Sequence, residues 1–195
     1  MVLFALAAHT TPPTFLLALA GLIGTTLAVA EAFRSEDSLG SLFGITGLSR
    51  KVMGWSLLGI AGGAGLAILF RYSEGRPLFL NGLEPFVVTA AAIGAAEELL
   101  FRGFVQGRLA RLGGFVAVLL AAAAHTAYKT ALFAFPPEDL VIQYGTLAFW
   151  TFTVGAVFGL TRHLSGSVLP ALTAHVLFDI LVYGDWTRSP WWVWG

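Results

Sequence analysis

Six apolar stretches separated by short polar breaks set the frame of the chain: Thr14 to Phe33, Val52 to Phe70, Pro85 to Gln106, Gly114 to Phe135, Val141 to Leu160 and Ser167 to Tyr183. As helices, each is about long enough to cross a hydrocarbon core of roughly 30 Å. The breaks carry helix-ending chemistry. Arg34 to Asp37, glycines up to Gly47 and the Arg50-Lys51 pair form the first connection, and Arg71 to Gly82 with Pro77 the second. Arg108 to Gly113 makes a short third turn, and Pro136, Pro137, Glu138 and Asp139 break the chain again. Arg162 to Gly166 precede a last helix with Ser167 as N-cap and Pro170 in its first turn. The tail from Asp185 onward, with Trp186, Trp191, Trp192 and Trp194, suits an aromatic anchor at the membrane interface better than a seventh span.

Composition agrees with a membrane-embedded helical bundle. The 195 residues are 57% hydrophobic and 11% charged, with mean hydropathy +0.80, well outside the range of soluble domains. Eleven basic and eleven acidic residues cancel, which leaves no case for a nucleic-acid partner. The absence of cysteine removes disulfides, thiolate catalysis and cysteine metal sites. The start, Met1 to Ala8, lacks the basic flank and cleavage site of a secretory signal and is read as retained. A single integral membrane domain over 1–195 is expected, because no stretch is polar or long enough to form a separate soluble module.

Basic residues divide six to three between alternate loops: Arg34, Arg50, Lys51, Arg108, Arg111 and Arg162 on one side, Arg71, Arg76 and Arg188 on the other. The positive-inside rule puts the first, third and fifth loops in the cytoplasm. Gly59 with Gly63, Gly103 with Gly107 and Gly155 with Gly159 have the four-residue spacing that allows close helix contact, although glycine is common enough here for chance to produce it.

Against this apolar background, Glu97, Glu98 and Arg102 crowd three charges into six residues of the third stretch. Each is unfavourable in mid-membrane by roughly 2.5–3.5 kcal/mol on insertion scales, so a buried polar site is implied. His125 and Lys129 lie in the fourth stretch, His175 and Asp179 in the sixth. Glu97, His125 and His175 share a depth of roughly 13 to 18 Å from the predicted cytoplasmic boundary, which predicts one polar layer around a cavity open to that side.

Residues four apart share a helix face, so Glu98 pairs with Arg102 and Asp179 orients His175. Glu97, on a different face from Arg102, is the carboxylate left for water or substrate, and it is a candidate general base. Lys129, nearer the outer end, is read as a snorkelling residue with a structural role. His9 and His163 fall in a terminus and a loop, where solvent exposure is the default.

The order and spacing of these residues resemble the CPBP intramembrane proteases, the family of CAAX prenyl endopeptidases and bacteriocin-processing (Abi) proteins. Its first element, Glu-Glu-x-x-x-Arg, matches Glu97 to Arg102 in full. The second, Phe-x-x-x-His, matches His125 with Ala121 in the phenylalanine position, and the third, His-x-x-x-Asn or Asp, matches His175 to Asp179. Ser167-Val168-Leu169-Pro170 also resembles the family's approach to that last helix, and the likeness covers about residues 85–183.

The resemblance implies an all-α polytopic bundle of about six transmembrane helices around a conical cavity. It also implies an endopeptidase that depends on glutamate, needs no metal or other cofactor, and acts on a membrane-associated or hydrophobic peptide or protein substrate. Glu97 and His125 would activate a water, His175 with Asp179 would stabilise the oxyanion, and Glu98 and Arg102 would support the site. An ionised aspartate cannot donate a hydrogen bond as asparagine does, so Asp179 is expected to act by holding His175. The expected location is a prokaryotic plasma membrane, with the site open to the cytoplasm. Two other readings stay open. Glu97, His125, His175 and Asp179 are permissible zinc ligands, although His-Glu-x-x-His is missing, and the same layer would serve a proton-coupled carrier or a non-proteolytic immunity protein.

Overall fold

The computed structural model describes residues 40, 43, 44, 47–134, 136, 138 and 141–187, and among these there are helices and no strands. The Thr14 to Phe33 span and the tail beyond residue 187 lie outside the described residues. Each of the other five apolar stretches forms a helix over most of its described length. Helix α1 (Arg50–Ser73) begins at Ser49, whose hydroxyl accepts from the Val52 amide at 3.2 Å, an N-cap that uses one of the unpaired first-turn donors. Helix α2 (Phe86–Glu98) continues into a π-helical segment (Leu99–Val105), then α3 (Gln106–Leu109) and a 3-10 turn (Ala110–Leu112). Helices α4 (Gly114–Leu132), α5 (Tyr144–Ser165) and α6 (Leu169–Tyr183) complete the bundle. By length and composition α1, α4 and α5 are each capable of crossing a membrane, and this polytopic all-α architecture is the one expected from the hydropathy pattern.

The last helix starts two residues later than the apolar stretch. Val168 is its N-cap, Pro170 lies in the first turn, and the Ser167 hydroxyl still accepts from the Leu169 amide at 3.3 Å. Proline is tolerated there because first-turn amides have no partner inside the helix.

Lipid supplies no hydrophobic drive between helices, so close packing of small residues has to bring the spans together. Gly59 and Gly63 of α1 lie against α6, where an added Cβ would overlap the carbonyl oxygens of Pro170 and Ala174 respectively. On α5, Gly155 and Gly159 meet Ala122 and Val118 of α4, a helix whose buried face also includes Ala117 and Ala121. Two of the three glycine pairs that chance alone could have produced are therefore contact surfaces. Phe158, Ala171 and Ala174, with Leu66 and Val154 packed on them, form an apolar core at the centre of the bundle.

One end of the bundle is fastened by Arg71, which is 1% exposed. Its guanidinium donates to the carbonyls of Pro77, Phe79 and Leu181 and to both Asp185 oxygens, at 3.2 and 2.7 Å. Arg76 adds a 2.9 Å bond to Asp185 and lies over the Trp186 ring. The connection after α1 is thereby tied to the end of α6.

Two outcomes follow. Gly63→Leu forces α1 away from α6, and overpacking of this kind should lower stability by about 1–3 kcal/mol or more, read from thermal unfolding in detergent. The hydrogen bonds from Arg71 hold the Asp185 carboxyl below its ordinary range, with burial opposing them. A depressed carboxylate contributes fully above its unfolded value and loses that contribution as pH falls through the folded one. The unfolding temperature should therefore fall below about pH 4, and Asp185→Asn should be less stable near neutrality with a flatter acid limb.

Candidate active site

The polar residues of the three spans converge. Glu97 and Glu98 end α2, Arg102 lies in the π-helical segment, His125 and Lys129 are on α4, and His175 and Asp179 are on α6. Glu98 and Arg102 are fully buried, and Glu97, His125, His175 and Asp179 are at most 9% exposed. The wider π turn follows directly after the two glutamates, a local unwinding often found where helices carry functional groups.

Arg102 is the hub. Its Nη1 donates to Glu98 Oε1 at 2.9 Å and to His125 Nδ1 at 3.1 Å. A guanidinium only donates, so Nδ1 of His125 is the acceptor and the ring proton sits on Nε2. That Nε2–H points to Glu97 Oε2 at 3.2 Å. The Arg102 Nε and Nη2 atoms have no hydrogen-bond partner among the described residues. The guanidinium carbon stands 5.7 Å from the centre of the Phe158 ring, and Gly155 leaves space for Nη2, where a Cβ would approach to 2.9 Å.

Glu98 has a second task. Its Oε1 accepts from His175 Nδ1 at 2.7 Å, which directs Nε2 toward Glu97 Oε2 and Asp179 Oδ2, each 3.8 Å away. The expected pairing of Asp179 with His175 is an ion-pair approach and not a hydrogen bond. At 3.8 Å it makes no hydrogen bond to His175, and the ring is oriented by Glu98 from another helix. Space for the Asp179 carboxylate comes from Gly94, where a Cβ would overlap Oδ2.

Two further expectations change. Glu97 is not left without a charged partner, because Lys129 Nζ lies 2.7 Å from Glu97 Oε1. Lys129 therefore turns inward instead of snorkelling outward, and its position one turn after His125 is the sequence signal for a shared face. With Ala121 in the phenylalanine position, an aromatic ring still packs on His125: that of Phe101, whose centre is 4.6 Å away.

A cavity of about 620 Å³ begins at Arg102, His125, Lys129, His175 and Asp179 and is otherwise largely apolar, with Leu66, Phe70, Trp150, Val154 and Phe178 in its wall. Its lining reaches Ser73, Glu74, Phe133, Thr146 and Tyr183, all at the end of the bundle fastened by Arg71. Arg108 and Arg162, beside which an opening is expected, are not among the lining residues. Shared depth near mid-helix is compatible with access from either end. Glu97 is not among the lining residues but contacts two that are, His125 and Lys129.

Zinc fits this donor set poorly. The Lys129 ammonium already neutralises Glu97, Arg102 occupies His125 Nδ1, and no group of three or more His, Asp or Glu side chains among the described residues is arranged to hold a metal ion.

Comparison with protein-family models matches residues 79–181, just over half of the chain, to a family described as type II CAAX prenyl endopeptidase Rce1-like. No curated protein and no solved structure matches the chain.

Removing one member of a buried ion pair leaves the other charge without compensation. Arg102→Met should therefore lower stability by about 3–5 kcal/mol in detergent unfolding, and Glu98→Met in that background should restore part of the loss. A mutually indifferent pair would show simple additivity.

Proposed function

Because the chain belongs to the Rce1-like family of type II CAAX prenyl endopeptidases, membrane-embedded proteases, we propose that it hydrolyses peptide bonds with a water activated by Glu97. The observation that carries this reading is the position of Glu97 Oε2, 3.2 Å from His125 Nε2 and 3.8 Å from His175 Nε2, beside a buried cavity. A water at the cavity wall between these groups would be held by a carboxylate acceptor and by imidazoles from two other helices.

Glu97 Oε2 takes a proton from the water as the water oxygen attacks the substrate carbonyl carbon, and the carbonyl π electrons move onto oxygen. His175 Nε2, oriented through Nδ1 by Glu98, faces the developing oxyanion and serves it in the protonated state, while the Nε2–H of His125 holds the base and its water. Glu97 then returns the proton to the amide nitrogen as the C–N bond breaks, leaving a carboxylate product and an amine. Asp179, close to His175 without bonding to it, shapes the field around that ring. Metal ions and other cofactors have no part in this scheme.

A cavity with one polar end and long apolar walls suits a peptide that carries or adjoins an apolar group, delivered from the bilayer. The substrate proposed is a membrane-associated peptide or protein, with a prenylated C-terminal tail as the first probe. A prokaryotic plasma membrane is the proposed location.

Glu97→Gln keeps the shape of the side chain and removes the base. Purified protein with this substitution should cleave an internally quenched farnesylated CAAX peptide at least about 1,000-fold more slowly than the parent, with unfolding temperature little changed. Strong chelator should leave the parent's rate unaltered. Retained cleavage by Glu97→Gln removes this residue from its role, and loss of activity in chelator favours a metal-dependent reaction.

A further inference from the structure

The hydrolytic scheme does not account for Lys129. Its Nζ is 2.7 Å from Glu97 Oε1, and its side chain is 17% exposed. A lysine serving only as an interfacial anchor extends its ammonium toward water. Here the ammonium lies in the cavity wall, which it shares with His125, His175 and Asp179. Lys129 also interacts electrostatically with Asp179.

Charge counting gives this placement its meaning. Glu97, Glu98 and Asp179 bring three carboxylates into one buried cluster, and Arg102 is committed to Glu98 and His125. Without Lys129, no fixed positive charge among the described residues would pair with Glu97, and Asp179 would add further repulsion across the cavity. An ammonium at Oε1 also settles which carboxylate oxygen reacts. With Oε1 anchored, Oε2 is the one turned to the two imidazoles.

We propose that Lys129 is a positioning residue for hydrolysis, anchoring Glu97 through Oε1 and supplying the countercharge that allows an aspartate at position 179. The inference rests on the water-activating role of Glu97 proposed above. It assigns to α4 two working residues, His125 and Lys129, one helical turn apart.

The test is a mutant cycle on purified protein in detergent: parent, Lys129→Met, Lys129→Arg, Asp179→Asn and Lys129→Met/Asp179→Asn. Turnover of the quenched farnesylated CAAX peptide and unfolding temperature are measured for each. Lys129→Met should lower kcat at least about 100-fold, with KM changed by less than roughly threefold. Lys129→Arg should keep a substantial part of kcat, and Asp179→Asn should raise kcat in the Lys129→Met background about tenfold or more and also raise its unfolding temperature.

The inference is overturned if Lys129→Met turns over within roughly threefold of the parent. It is equally overturned if Asp179→Asn brings no recovery in kcat or unfolding temperature to the Lys129→Met protein. Should Lys129→Met fail to fold, Lys129→Arg and the double variant decide: both folded and active supports the assignment, and a double variant that also fails to fold overturns it. Should the parent leave the peptide intact, the hydrolytic reading fails for this probe and the thermal cycle decides the countercharge: Asp179→Asn must stabilise the Lys129→Met protein more than the parent, and equal effects overturn it.

Discussion

A carboxylate carried into a lipid-embedded bundle has to meet positive charge and hydrogen-bond donors already in place, because the surrounding hydrocarbon supplies neither. The contact of Arg102 with Glu98 is where this protein satisfies that demand first. From one guanidinium nitrogen, bonds run to Glu98 Oε1 and His125 Nδ1, and Glu98 passes the constraint on to His175 Nδ1. A single buried cation thus fixes the proton position of one imidazole and, through its carboxylate partner, the orientation of the other. Lys129 does the equivalent for Glu97. The two Nε2 atoms that face Glu97 Oε2 are consequences of these pairings.

Such a cluster needs helices that approach closely and leave room for large polar groups in the same layer. Small residues meet both demands. Gly59 and Gly63 bring α1 onto the backbone of α6, while Gly155 and Gly94 leave the space taken by Arg102 Nη2 and Asp179 Oδ2. The π-helical segment Leu99–Val105 follows the glutamates and carries Arg102, so the chain departs from regular α geometry where its charges are densest. Fastening of the bundle end by Arg71 and Asp185 holds the start of the connection after α1, Glu74, in the cavity lining. The membrane fold and the site therefore share their supports.

Much of this was legible along the chain, and what was not has physical reasons. Hydropathy located five described helices to within a few residues, since a span must be continuously apolar over a length fixed by the bilayer. The family followed from Glu97, Glu98 and Arg102 together with His125 and His175, because charges in such spans are rare enough for their spacing to be informative. Pairing within a turn found Glu98 with Arg102. It also brought Asp179 to His175, which it approaches to 3.8 Å, but missed that the hydrogen bond orienting the ring comes from Glu98 on another helix. The same rule, applied to His125 and Lys129, would have placed Lys129 in the site, but proximity to the helix end suggested snorkelling instead. The run of the cavity's lining was hidden because polar groups near mid-helix are about equally far from both boundaries, and which side chains line a cavity is a property of packing.

The central claim is that Glu97, held by Lys129 and His125 and faced by His175, drives cleavage of a peptide bond within the membrane. Profiling of protein termini in membranes from cells that produce this chain, beside cells that produce Glu97→Gln at equal level, tests it without a chosen substrate. A set of new termini that appears with the parent chain and disappears with the substitution is the expected result. Identical terminal profiles from the two membranes would contradict the account.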